Sequence, residues 1–336
     1  MLGKPLQPAG AKAGGAPLEA MVDEHFSYLH RLVQGQPAPL LDAMKMFNEV
    51  FVQLSAIDAA QKSKSPPPPP AGGAAAAKAA AAMQPEPIRS MLEALGDAGA
   101  TQSRTAERQG LTSELKPISD FCARTVSGRY PFAQGSKSDV LPDDFGQLFG
   151  VGGMLDDFYQ RRLASLVDIG VTPWVFKPLA DGVKPMGSAA LADFQRASRL
   201  KDAFFRSGGK TPAFKIDVRV LEMSEGLKEV TLDLDGTPLR FAAGNTAAQQ
   251  ITWPSARVAA QIKLSADGGA VQLFEGPWAL FRLFGQFEVQ PSAQPERFTV
   301  LLNMGGKTAK LEVISASAIN PFRMREVQGF RCPDAL

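Results

Sequence analysis

Cysteine and histidine are scarce in this 336-residue sequence, with two of each, and no charge sign dominates. Two histidines leave little material for imidazole catalysis or metal binding. His25 and His30 do not share a helix face, and no cysteine pair has zinc-site spacing. Cys122 and Cys332 allow one disulfide in an oxidising compartment, or two buried free thiols. The 36 Lys and Arg against 34 Asp and Glu give a net charge of +2. No global basic field exists to recruit nucleic acid or an anionic membrane. No apolar run reaches the roughly 20 residues of a membrane-spanning helix. Met1-Leu2-Gly3-Lys4-Pro5 lacks the apolar core of a signal peptide. Read as a complete product, the chain is expected in the cytoplasm; read as a piece of something longer, it takes its address from the rest.

Short motifs that resemble reactive sites fail on spacing. Gly306-Lys307-Thr308 and Gly209-Lys210-Thr211 lack the earlier glycine of a phosphate loop, with Leu301 and Phe204 in its place. Gly150-Val151-Gly152-Gly153 has Leu155 where a dinucleotide fingerprint needs glycine. Asp233-Leu234-Asp235-Gly236 lacks the carboxylate spacing of a calcium loop and reads as a hairpin turn. The acidic pairs Asp143-Asp144 and Asp156-Asp157 diverge by about 100° on a helix, which suits capping and solvated faces better than acid/base work. No catalytic, cofactor or metal residues are expected, and the chain reads as a non-enzyme.

What is present is a change of period. Residues 1–17 read as a flexible lead-in, and 18–211 as an all-α domain. Leu40, Met44, Phe47, Phe51 and Leu54 fall on one helical stripe. Residues 62–86 form a Pro/Ala-rich linker: the prolines stop the helix, and the alanines have almost nothing to bury. Helical spacing resumes at 88–95, at Leu111, Leu115, Ile118 and Cys122, and after Gly152-Gly153. Ser188 is placed to cap a helix carrying Leu191, Phe194, Leu200 and Phe204. Near Pro212 the period becomes two. Phe214, Ile216, Val218 and Val220 alternate with polar residues, and Asp235-Gly236 and Gly305-Gly306 are hairpin turns. Val258, Ile262 and Leu264 face Val271 and Leu273 across Asp267-Gly268-Gly269. The predicted architecture is α+β and multidomain: an all-α helical domain, then an antiparallel β-sandwich over 212–320. A helix near Trp278–Leu283 interrupts the strands, and a tail, 321–336, packs back on the domains.

Arg129-Tyr130-Pro131-Phe132 reads as a helix exit packed by Tyr130 and Phe132. With Phe121-Cys122, Asp144-Phe145-Gly146 and Phe149-Gly150-Val151-Gly152-Gly153, it resembles the C-terminal region of TssM, the IcmF-like family of type VI secretion systems. Trp253-Pro254, Phe274 through Arg282 with Trp278 and Phe281, Asn320-Pro321-Phe322, and Phe330-Arg331-Cys332-Pro333 continue that resemblance in order from about residue 20 onward. Val151 stands where many relatives have proline, and the Pro/Ala tract is a local elaboration. The membrane helices and nucleotide-binding region of typical members have no counterpart in this sequence, so nothing supports NTPase activity.

The resemblance implies a periplasmic segment of an inner-membrane-anchored protein. Its β domain would bind the outer-membrane lipoprotein TssJ, within a complex with TssL and further TssM copies that forms the channel for the contractile tail. It also implies a possible Cys122–Cys332 disulfide tying the tail to the helical domain. The partner-binding residues have no short motif and are not assigned. The alternative is a periplasmic ligand- or glycan-binding β-sandwich on a helical stalk, with Trp253 or Trp278 exposed as stacking platforms.

Overall fold

A computed structural model describes residues 18–36, 38–63, 65, 72–84, 86–179, 182–255, 261–267, 271–315 and 319–336. The expected lead-in, the proline run at 66–70, Val258, Gly268 and Gly269 lie outside these residues. Two compact units divide the chain: 1–110 with 178–185, and 111–177 with 186–336. The change of period at 212 marks where helices give way to sheets; the units divide earlier, inside one long helix.

The first unit is helical, with α1 (Leu18–His25), α2 (Ser27–Val33), α3 (Pro39–Ser63), α4 (Gly73–Ala81) and the start of α5 (Ile88–Thr125). The stripe expected on α3 is only partly the packed one. The helix buries Ala43, Val50, Gln53, Ile57 and Ala60, whereas Met44 and Phe51 are 58% and 66% exposed. Leu40, Phe47 and Leu54 pack at the margin. The reason lies in what faces α3. The alanine tract forms α4 and does bury a face, Ala74, Ala77 and Ala81. On α5, a Cβ at Gly99 would sit 3.2 Å from both Ala74 Cβ and Val50 Cγ1. Alanines on α4 and Gly99 on α5 permit close approach to the face of α3 that carries Val50, so dispersion contacts there hold that face inward. The segments expected as two helices fuse into α5, which runs 38 residues through Pro117.

The second unit takes the rest of α5, then α6 (Pro142–Phe149), α7 (Met154–Phe158), a π-helical turn (Tyr159–Leu163), the two-stranded ribbon β1 (Val167–Asp168) and β2 (Val175–Phe176), and α8 (Leu191–Phe204). Ser188 does not cap α8. A 3-10 turn, Ser188–Ala190, precedes that helix, and the Ser188 hydroxyl accepts from the Phe176 backbone N–H at 3.3 Å.

Among the described residues nine further strands follow: β3 (Phe214–Met223), β4 (Glu229–Leu234), β5 (Thr237–Ala242), β6 (Gln249–Trp253), β7 (Gln261–Ala266), β8 (Val271–Glu275), β9 (Glu288–Pro291), β10 (Arg297–Met304) and β11 (Lys307–Ser315). They form a five-stranded sheet ordered β6-β3-β11-β10-β9 and a four-stranded sheet ordered β5-β4-β7-β8, antiparallel throughout. Buried residues alternate along β3, β4, β6, β7, β10 and β11. Val218, Leu302 and Leu311 from one sheet face Val230, Leu232 and Leu264 from the other, which makes the predicted sandwich. Asp235 at φ +53° and Gly236 at φ +90° build the turn of the β4–β5 hairpin. Helix α9 (Ala279–Gly285) enters between β8 and β9, and α10 (Arg325–Gly329) lies in the tail.

Candidate functional site

Among the described residues no group of three His, Cys, Asp or Glu side chains could hold a metal ion. The motif residues gather instead in a closed aromatic joint within the second unit. Trp278 caps α9 and is fully buried. Its indole Nε1–H donates to the Val140 carbonyl at 2.7 Å, and its backbone N–H to Asp139 Oδ2 at 3.4 Å. One turn along, Arg282 pairs with the same Asp139 carboxylate and donates to the Ser136 carbonyl at 3.0 Å. The Arg282 guanidinium also lies 4.0 Å from the Tyr130 ring centroid, a cation–π contact. Burial pushes the Tyr130 phenol up to about 12, against the pull of Arg282 and with the push of Asp139. Arg129 reaches the Asp139 carbonyl at 3.5 Å.

The other motif residues extend this joint. Phe132 stacks on Phe149 at 5.6 Å and meets Phe330 of the tail at the same distance. Phe281 contacts Trp278 at 5.0 Å and Phe322 at 4.6 Å. Asn320 Oδ1 accepts from the Phe322 N–H at 3.0 Å, capping the 3-10 turn Pro321–Arg323, and the Pro321 side chain is buried. Cys122 on α5 and Cys332 in the tail are joined, with Cα atoms 5.7 Å apart. The tail is further fixed by Arg199–Glu326 at 2.5 Å and by Arg331 N–H to Asp193 Oδ1 at 2.9 Å.

Trp253 is 2% exposed and its Nε1–H donates to the Pro277 carbonyl at 2.8 Å. With Trp278 at 0%, neither tryptophan is a stacking platform, and both belong to the core. Asp143 and Asp144 occupy the first turn of α6, where their charge suits the helix dipole. Asp157 pairs with Arg161 at the surface. Asp156 departs from the solvated face expected of it. It takes Lys201 at 2.7 Å and the Gly152 N–H at 2.9 Å, and its side chain is only 12% exposed. Burial pushes its pKa up, but the bonds from Lys201, Gly152 and Gln160 outweigh this and hold it below the usual carboxylate range. Asp139 escaped the sequence reading altogether, because a single aspartate outside any repeated pattern gives no sign of its three partners.

Comparison with known proteins places this geometry. Residues 216–317 match the Type VI secretion protein IcmF C2-like domain, which spans β3 to β11. Over 329 residues the chain is 30% identical to Type VI secretion system component TssM1 of Pseudomonas aeruginosa (strain PAO1), covering 94% of this chain. This chain belongs to the TssM/IcmF family. It spans 30% of the length of that relative. The fold is shared with two solved structures. A type VI secretion membrane core complex chain aligns with TM-score 0.70 at 16% identity, over 94% of this chain and 70% of that one. The TssM C-terminal domain from EAEC aligns with TM-score 0.57 at 18% identity, over 68% of this chain and 98% of that one. No helix among the described residues is long and apolar enough to cross a membrane.

Proposed function

We propose that this chain is a non-enzymatic structural part of the type VI secretion trans-envelope membrane complex. It would be a periplasmic segment of an inner-membrane-anchored protein whose C2-like sandwich binds the outer-membrane lipoprotein TssJ. TssL and further TssM copies would complete the assembly around the channel. The observation that carries this reading is the family's C2-like domain, held at α9 by Trp278, Arg282 and Asp139. Trp278, Arg282 and Asp139 are engaged with one another and with Val140 and Ser136, and the reading assigns binding to the sandwich's outer surface and loops. The Cys122–Cys332 pair suits an oxidising periplasm.

The test is a titration of the full chain with a soluble, unlipidated form of its cognate TssJ-like lipoprotein. The reading predicts saturable binding that survives Trp253→Phe, which keeps the core aromatic. Absence of binding at high micromolar concentration of both partners would sink it.

A further inference from the structure

The two poles of the sandwich differ in what covers them. At one pole the chain enters and leaves, and Ile216 of β3 and Ser315 of β11 are register partners there. The helical part of the second unit packs on that pole. Phe204 meets Phe214 and Trp253 at 5.8 and 5.6 Å, and Phe145 meets Trp278 at 5.3 Å. The opposite pole carries the connections from β3 to β4, β7 to β8 and β10 to β11. Glu225, Gly226, Lys228, Gly305 and Gly306 are exposed on it. These connections are tied to one another. The Lys307 ammonium donates to the Gly226 carbonyl at 2.7 Å and to the Asp267 carbonyl at 3.4 Å. The Asp267 carboxylate accepts from the Lys228 N–H at 3.0 Å, and Ser224 and Thr308 exchange two bonds, at 2.8 and 2.9 Å. One cation thus holds three connections drawn from both sheets.

Beside this pole lies most of the apolar surface that the sandwich shows. Among the described residues its exposed large hydrophobic side chains are Leu221, Val271 and Leu273, at 45%, 53% and 55%. Val271 opens β8, and Leu273 follows it on the same outward face. β8 is also an edge strand. The other three edges carry proline, Pro238 in β5, Pro291 in β9 and Pro254 directly after β6, and proline blunts an edge against pairing. β8 has none. An apolar strip bordered by a polar rim is the anatomy of a protein interface, and a rim fixed beforehand loses little freedom on binding. The position of this pole selects the partner. It lies opposite the helices, so in the trans-envelope reading, on which this inference rests, it faces onward to the partner anchored in the outer membrane. We propose that the lipoprotein docks on the β8 edge and the adjoining pole, with Val271 and Leu273 as apolar contacts. Lys307 is a positioning residue that keeps the rim in its binding shape.

The test is a titration of the full chain and its variants with the soluble cognate lipoprotein. Leu273→Asp lies at an exposed site, so it should keep the native circular dichroism and weaken binding at least about tenfold. Leu273→Ser serves the same comparison if the aspartate disturbs folding. Leu221→Asp, on the outer face of the other sheet, should leave affinity unchanged. Lys307→Met should weaken binding by about three- to tenfold and speed hydrogen exchange at Lys228, and Lys307→Arg, which keeps the charge, should restore both. Full affinity in the Leu273 variants, or a loss confined to Leu221→Asp, would overturn the docking site and leave the proposed function standing. Full affinity in Lys307→Met would overturn its positioning role. No binding by the unaltered chain would sink the docking site and the proposed function together.

Discussion

Arg282 is held on three sides, by the Asp139 carboxylate, the Ser136 carbonyl and the face of Tyr130. The Asp139 side chain is 9% exposed, so removing its cation leaves a carboxylate with little access to water. Arg282→Ala should therefore destabilise the second unit by about 3–5 kcal/mol in denaturant titration. Arg282→Lys should recover part of this, because lysine keeps the charge and loses the fork and the flat cation–π face. A loss under 1 kcal/mol for the alanine variant would show that the joint is not fixed this way. Tyr130 gives a second check. Its folded pKa is raised to about 12, so the neutral phenol is favoured by folding. This contribution is intact below the ordinary tyrosine pKa of about 10 and is lost as pH rises through the folded value. In a spectrophotometric titration at alkaline pH, the wild-type minus Tyr130→Phe difference should show one phenol ionising near 12; ionisation of that phenol near 10 would contradict the geometry.

At the scale of elements, the two faces of α3 make opposite predictions. Val50 is fully buried and Phe51, its neighbour, is 66% exposed. Val50→Asp should unfold much of the first unit's helical signal, whereas Phe51→Asp should change stability by less than about 0.5 kcal/mol. Circular dichroism during thermal unfolding separates them, and a reversed order would mean the other stripe is packed. The same helix shows where sequence reading stops. Apolar residues occupy both faces of α3, so periodicity alone could not select the one that packs. The packed face meets Ala74 on α4 and Gly99 on α5, residues outside α3 whose positions its own periodicity does not reveal. The hairpins were legible because their information is local: Asp235-Gly236 and Gly305-Gly306 set the turns, and alternation set the register of Val230 with Phe241 and Val300 with Leu311. The aromatic joint was legible as motifs and not as geometry.

For the molecule as a whole, the Cys122–Cys332 link joins two residues of the second unit that lie 210 positions apart in sequence. Loop-closure entropy for such a span is about 5 kcal/mol, although measured losses on removing a native disulfide span roughly 2–5 kcal/mol. The double variant Cys122→Ala/Cys332→Ala, or reductant, should lower the melting temperature of the second unit by about 5–15 °C. Equal thiol titration with and without reductant would exclude the bond. The sandwich, α9 and the tail share one hydrophobic core, and the proposed reading puts lipoprotein binding on the outer face of residues 216–317. Hydrogen exchange of the full chain, with and without the soluble cognate TssJ-like lipoprotein, tests this most directly. The account predicts slowed exchange in strands or loops within 216–317. Exchange unchanged there, with the lipoprotein in excess, would contradict it.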